Sequence, residues 1–333
     1  MRAVVLNRPN DFAIAEVPDP APTAAEVVIR VRATGICGTD LHIVDGEFPP
    51  TPYPIIPGHE FAGEVVAVGA DVNYLSIGNR VAVDPSLFCG HCSACQRERG
   101  NLCEHWGAIG DTVNGAFAEY VAVPAANAFP IPDSMPFADA ALVEPVACAV
   151  HGLRRLDMTA GSSLLVVGAG TMGLLLAQLA RRTGAAMLTV VDTDPSRRDL
   201  ATKLGFDTAT SIPEALNVYP AGYDYVVEAT GVEAAGQAAL QAVARGGTFM
   251  VFGVAPESAK LEVSPFRVYN DEISIVGSMA VLHTFPAALR MLASGAVDTG
   301  VMVSHTFGLD GFADALQTVR GRAGLKVQIT PWG

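Results

Sequence analysis

The chain has 333 residues, half of them apolar and 17% charged, so it carries ample material for a buried core and a length that predicts two domains. It has no run of about 18 apolar residues, which speaks against a spanning helix and a membrane partner. A formal net charge of −13 without any Lys/Arg cluster speaks against nucleic acid.

The opening Met1–Asn7 is too short an apolar run for a secretory signal and reads as a strand, so a cytoplasmic location is expected. Segments 27–33, 64–69, 80–83 and 117–123 are short, rich in β-branched residues and bounded by turn residues, which predicts strands of a β-rich, partly barrel-like domain. The proline-rich stretch 49–54 predicts a loop. From about Glu144 strand and helix patterns alternate, which predicts a parallel sheet covered by helices. Its strands fall at 163–167, 187–191, 223–228, 248–252 and 273–277, with helices at 174–182, 197–204 and 285–294. The tail from Val301 returns to the first texture and ends on a strand at 326–329. The expected organisation is an α/β protein: a first domain over 1–146 with a small lobe at about 86–106, a doubly wound nucleotide domain over 147–285 inserted into it, and a return over 286–333.

Strand 163–167 runs into Gly168-Ala169-Gly170-Thr171-Met172-Gly173 and then a helix, the context a G-x-G-x-x-G loop requires. The first glycine permits a tight turn, the second lets the backbone approach a pyrophosphate, and the third allows a helix to pack on a strand. Thr171 and Met172 lie within this loop, and the N-terminus of the helix after it offers free N–H groups to phosphates. Taken alone, the glycines could equally be a tight packing turn. Asp192 closes the next strand, where a carboxylate accepts hydrogen bonds from ribose hydroxyls and repels a 2′-phosphate. NAD is therefore expected ahead of NADP, although Arg197 and Arg198 stand close enough to hold a 2′-phosphate.

Six cysteines occur, and four of them, Cys89, Cys92, Cys95 and Cys103, follow C-x2-C-x2-C-x7-C spacing. In a reducing compartment such a cluster reads as a metal site, not a disulfide framework. Four thiolates leave no open position on zinc, so the site is expected to be structural. An iron–sulfur cluster and free thiols are the alternatives, and His91 and His105 are expected to stay outside the ligand set.

Gly35-Ile36-Cys37-Gly38-Thr39-Asp40-Leu41-His42 and Gly58-His59-Glu60-Phe61-Ala62-Gly63 contain ligand types for a catalytic zinc. Taken singly, Cys37 reads as a small buried hydrophobe, His59 as a core histidine and Glu60 as a surface charge. The order of these two segments, the four-cysteine lobe, Glu144-Pro145 and the glycine loop resembles the zinc-containing medium-chain alcohol dehydrogenase superfamily over essentially the whole chain. Within it, Glu144–His151 resembles the sorbitol/polyol and threonine dehydrogenase branch, because classical alcohol dehydrogenases place a cysteine at the Glu144 position.

That resemblance implies a Rossmann sheet inserted into a GroES-like catalytic domain, one catalytic and one structural zinc per chain, and a homodimer or homotetramer. It implies Cys37 and His59 as ligands, Glu60 as a ligand or exchangeable neighbour, and Glu144 as a further ligand or a hydrogen-bond partner of a bound water. Thr39 matches the residue that takes the substrate proton, His42 the end of the relay to solvent, and Asp40 the carboxylate that orients His59. Cofactor contacts are implied at Thr230, Gly231, Gly253, Val254, Ser278 and Met279, which follow strand ends. Gly38 stands where some members carry an arginine for the pyrophosphate. Gly277–His283 has no arginine where sorbitol-type enzymes carry one, so the resemblance points past sorbitol to another secondary alcohol or polyol. His283, Phe48, Trp106 and Phe117 are candidates for pocket walls or for plain packing. The implied reaction is hydride transfer from alcohol to NAD, with threonine or another amino alcohol as the second substrate class. A nucleotide-binding structural protein without turnover is the reading from a different class.

Overall fold

The computed structural model describes residues 1–48 and 50–333; Pro49, within the expected 49–54 loop, lies outside the described residues. The chain forms two compact units. One comprises Met1–Ala147, Val281–Ser294 and Thr299–Gly333, and the other Cys148–Ala280 with Gly295–Asp298. The return thus begins at Val281, ahead of the expected residue 286. Val281 and Phe285 are buried there, and Thr284 Oγ1 donates to the Ala147 carbonyl at 2.8 Å.

The first unit is built on a mostly antiparallel sheet whose order is Val303–Phe307, Lys326–Ile329, Glu26–Ile36, Glu60–Val68, Arg80–Val83 and Ala128–Pro130, with Tyr120–Pro124 also paired to Glu26–Ile36. The expected strand 117–123 starts only at Tyr120, because Phe117 and Ala118 pair with the opening strand Arg2–Arg8 instead. Val27, Ile29 and Val31 point to one side and pack with Phe61, Val65, Val81 and Val121, the period-2 pattern of a half-buried strand. The central strand Glu26–Ile36 draws distant segments of the chain together. Its Gly35 lies opposite Glu60 on one side and Gln328 on the other. A side chain at Gly35 would place Cβ 2.1 Å from Glu60 Oε2 and 3.2 Å from Lys326 Cδ.

The second unit is a parallel six-stranded sheet among the described residues, in the order Asp207–Ala209, Met187–Val191, Ser163–Val167, Tyr223–Glu228, Val243–Val251 and Ser274–Gly277. This is the doubly wound order, with its switch point beside Ser163–Val167. Strand Asp207–Ala209 and helices Ile212–Val218 and Glu233–Gln241 had no clear sequence signal, being short and Ala-rich or polar. Among the described residues no helix is long and apolar enough to cross a membrane.

Helix Thr171–Thr183 leaves the sheet directly after the glycine loop. Gly168 turns with φ of +106°, and a Cβ at Gly173 would fall 1.8 Å from the Gly168 carbonyl oxygen. The helix can sit this close to the strand only with hydrogen at that position. Gly173→Ala should therefore destabilise the unit by about 1–3 kcal/mol through overpacking. A lowered thermal midpoint with weakened NADH binding is the expected result, read by calorimetry and fluorescence titration.

Candidate active site and nucleotide loop

Cys37 follows the strand Glu26–Ile36 and is the N-cap of helix Gly38–Asp45. Its backbone N–H donates to Asp40 Oδ2 at 2.7 Å, which fixes the thiol at the start of the helix. His59 precedes strand Glu60–Val68, and the register of that strand against Glu26–Ile36 carries His59 and Glu60 back beside Cys37. One ligand atom from each of Cys37, His59 and Glu60 lies within 4.8 Å of the others. The thiol of Cys37 is 3.8 Å from Thr39 Oγ1. His42, one helical turn on, is exposed and meets Glu47 Oε2 through Nδ1 at 2.8 Å.

The cluster is deeply buried and charged. Asp111 Oδ1 stands 3.0 Å from His59 Nδ1, whereas Asp40 Oδ1 is 3.6 Å away. The expected orienting carboxylate, Asp40, is therefore chiefly a cap on Cys37, and Asp111 is the nearer partner of the ring. Burial works against a charge on His59, but Asp111 and Asp40 outweigh it and hold its pKa well above the usual value. Burial lifts Asp40 to about 7, against the pull of His59. Nδ1 faces the carboxylates, so the other ring nitrogen is the one a metal would take, the arrangement metal-binding histidines use.

Lys326, on the strand Lys326–Ile329, was not singled out from sequence. Its Nζ lies 2.7 Å from Glu60 Oε1 and 2.6 Å from Oε2, and donates to the Ile36 carbonyl at 3.2 Å. Burial opposes the ammonium charge, but Glu60, Cys37 and Glu144 outweigh it and raise the lysine pKa. Glu144 is buried in the first turn of helix Val143–Leu156 and lies outside the Cys37–His59–Glu60 group, although near enough to act on Lys326. Among the proposed pocket walls, Phe117 is core, packed on Phe312 with ring centroids 4.9 Å apart, and Trp106 packs on the cysteine lobe. Phe48 is partly buried against the core that holds Phe117. His283 meets the Phe88 ring edge-on at 6.3 Å.

The sulfurs of Cys89, Cys92, Cys95 and Cys103 all lie within 4.8 Å of one another. Cys89–Cys95 is 4.0 Å and Cys92–Cys103 is 3.9 Å, close to the edge of about 3.8 Å in a tetrahedron with 2.3 Å zinc–sulfur arms. Backbone N–H groups of Cys89 and His105 donate to Cys103 Sγ, and that of Cys92 to Cys89 Sγ, each at 3.3 Å. Backbone donors from Cys95 and Glu104 bring the Cys92 thiol down to about 6, which favours the thiolate a metal needs. Both His91 and His105 are exposed and outside the group.

In the nucleotide unit, Asp192 Oδ2 accepts from Ala169 N at 2.7 Å and Oδ1 from Asp194 N at 2.9 Å, so this carboxylate ties the glycine loop to the next strand end. Arg198 donates to the Asp192 carbonyl at 2.8 Å, and Arg197 reaches over Gly170. Buried Glu228 does the same further along the sheet edge: it accepts from Thr230 N at 2.5 Å and Gly231 N at 3.0 Å, and its carbonyl takes Gly253 N at 2.8 Å. Ser278 N donates to Val251 O at 3.3 Å, while Val254 and Met279 are exposed. Gly168, Asp192, Thr230, Gly231, Gly253 and Ser278 follow the carboxyl ends of parallel strands, while Thr171, Met172, Gly173 and Arg197 lie in the first turns of the helices that come next.

Residues 23–133 match the family described as Alcohol dehydrogenase GroES-like domain, and 171–294 the family described as Zinc-binding dehydrogenase. The chain is 39% identical to D-arabinitol dehydrogenase 1 of Uromyces fabae, covering 99% of this chain and 97% of that one. It is 33% identical to L-threonine 3-dehydrogenase of Edwardsiella ictaluri (strain 93-146), with 92% of each covered. A Sinorhizobium meliloti 1021 protein solved with NADP bound superposes with a TM-score of 0.94 at 35% identity, covering 99% of both chains. The paired donor groups, the glycine loop and these likenesses converge: the chain belongs to the zinc-binding, GroES-like alcohol dehydrogenase family and is an oxidoreductase.

Proposed function

We propose that the protein oxidises a secondary alcohol or polyol with NAD, using one catalytic and one structural zinc ion per chain. The observation that carries this reading is the convergence of Cys37, His59 and Glu60 within 4.8 Å beside the Thr39 hydroxyl. A soft thiolate, an imidazole oriented by Asp111, and carboxylates at Glu60 and Glu144 form a donor set that suits zinc. When bound, zinc supplies a Lewis acid that makes an alcohol easier to deprotonate near neutral pH, and NAD supplies the hydride acceptor.

The chain's own residues do the rest. Thr39 accepts a hydrogen bond from the substrate hydroxyl and passes its own proton on toward His42, which, exposed and paired with Glu47, releases a proton to water. Gly168, Gly170, Thr171, Met172 and Gly173 would hold the pyrophosphate, with Arg197 above the loop. Asp192 stands at the ribose position and favours NAD over NADP. Thr230, Gly231, Gly253, Val254, Ser278 and Met279 would hold the nicotinamide half. Polyol oxidation is favoured by the likeness to the D-arabinitol enzyme, and the threonine enzyme supports an amino alcohol as the second substrate class. A cytoplasmic homodimer or homotetramer completes the reading: strand Ser274–Gly277 lies at the sheet edge with Ile275 exposed, a surface that favours pairing.

Absorbance at 340 nm with NAD and a panel of polyols, secondary alcohols and L-threonine tests the proposal. Cys37→Ser should lower turnover by about a thousandfold or more, several kcal/mol of transition-state stabilisation, while NADH still binds. Equal activity in the variant would sink the mechanism, and faster turnover with NADP would reverse the cofactor assignment. Cys103→Ser should instead cost one zinc ion per chain by metal analysis and lower the thermal midpoint, because that site contributes to folding.

A further inference from the structure

Lys326 is more than a counter-charge. Its Nζ donates to Glu60 Oε1 at 2.7 Å and stands 2.6 Å from Oε2, so the ammonium lies against both oxygens of the carboxylate. That donation takes a lone pair of Oε1, while Oε2 feels the ammonium through charge alone and has no hydrogen-bond partner among the described residues. The lysine's third contact, the Ile36 carbonyl at 3.2 Å, pins the ammonium to the strand that delivers Cys37. Pairing of Lys326–Ile329 with Glu26–Ile36 sets the position of the lysine backbone, and the missing side chain at Gly35 leaves the space in which the pair meets. Glu60 is only 1% exposed and Lys326 3%, so no water competes for either group. An ion beside Cys37 and His59 would then meet a Glu60 carboxylate whose Oε1 and much of whose charge are already committed to the ammonium.

We propose that Lys326 is a positioning residue that restrains Glu60 from becoming a permanent ligand of the catalytic ion and so keeps one coordination position exchangeable for the substrate hydroxyl. This rests on the zinc reading of the Cys37–His59–Glu60 site. Removing the ammonium while keeping the apolar stem frees Glu60 to close on the ion. In Lys326→Met the slow, catalytic-site phase of zinc release to a chelator should slow by about tenfold, the scale on which groups behind metal ligands act. The visible spectrum of the cobalt-substituted enzyme should stop responding to added imidazole, used as a probe for the open position. Lys326→Arg, which keeps a cation there, should restore the imidazole response. Glu60→Gln, with Lys326 intact, should release zinc within about threefold of the native rate, since a restrained carboxylate contributes little to holding the ion.

Zinc release from Lys326→Met that is unchanged or faster, with the imidazole response intact, overturns the proposal and leaves the lysine a structural counter-charge. Release from Glu60→Gln that is tenfold faster or more also overturns it, and serves if Lys326→Met does not fold. A native protein holding zinc only in its cysteine lobe defeats the zinc reading and this proposal together, a result that zinc stoichiometry separates from the other two.

Discussion

Burial of charge around one backbone position constrains this protein more than any other feature. Strand Glu26–Ile36 brings Gly35 against Glu60 and the strand of Lys326, and the next helix sets Cys37 on Asp40. Asp40, His59, Glu60, Asp111, Glu144 and Lys326 are all buried there. Isolated charges in such surroundings are expensive, and they persist only when paired and hydrogen-bonded. Two charge pairs offset that cost, His59 with Asp111 at 3.0 Å and Glu60 with Lys326 at 2.6 Å. A protein selected only for stability gains little from such a cluster over a well-packed apolar one. Its presence beside a half-buried thiol is what a metal-dependent reaction centre requires.

The nucleotide unit solves a different problem by a similar device. The glycine loop and the turn after Glu228 must each hold an open shape at the edge of the sheet. Two carboxylates hold the turns in shape: Asp192 through Ala169 and Asp194, and Glu228 through Thr230 and Gly231. Each closes a parallel strand, so the sheet itself fixes where the loops begin. Rigid elements thus position mobile-looking loops, which is how a site on loops keeps its geometry.

Much of this was legible in the sequence, for reasons that differ from residue to residue. Cys89, Cys92, Cys95 and Cys103 are local, and their spacing alone closes a tetrahedron. The loop Gly168–Gly173 is local too, and its flanking strand and helix form as the pattern predicts. Cys37, His59 and Glu60 were legible only through resemblance to a family, because nothing in their spacing shows that two strands return to one point. Lys326 and Asp111 were not legible at all. Lys326 meets Glu60 from the far end of the chain, across a strand register that hydrophobic alternation does not specify. Asp111 lies just after a two-residue strand, Gly107–Ala108, too short to leave a periodic trace. Asp40 was read as the partner of His59 from its place in the motif, and the backbone N–H of Cys37 proved its closer partner. Helix Phe312–Arg320 escaped notice within a tail read as strand-like, although it packs Phe312 onto Phe117.

Zinc-edge anomalous diffraction from crystals of the purified protein tests the central claim most directly. The account predicts two peaks per chain, one enclosed by Cys89, Cys92, Cys95 and Cys103, and one between Cys37 and His59. A single peak in the cysteine lobe, with Cys37 and His59 holding no metal in protein that oxidises its substrate, would contradict it.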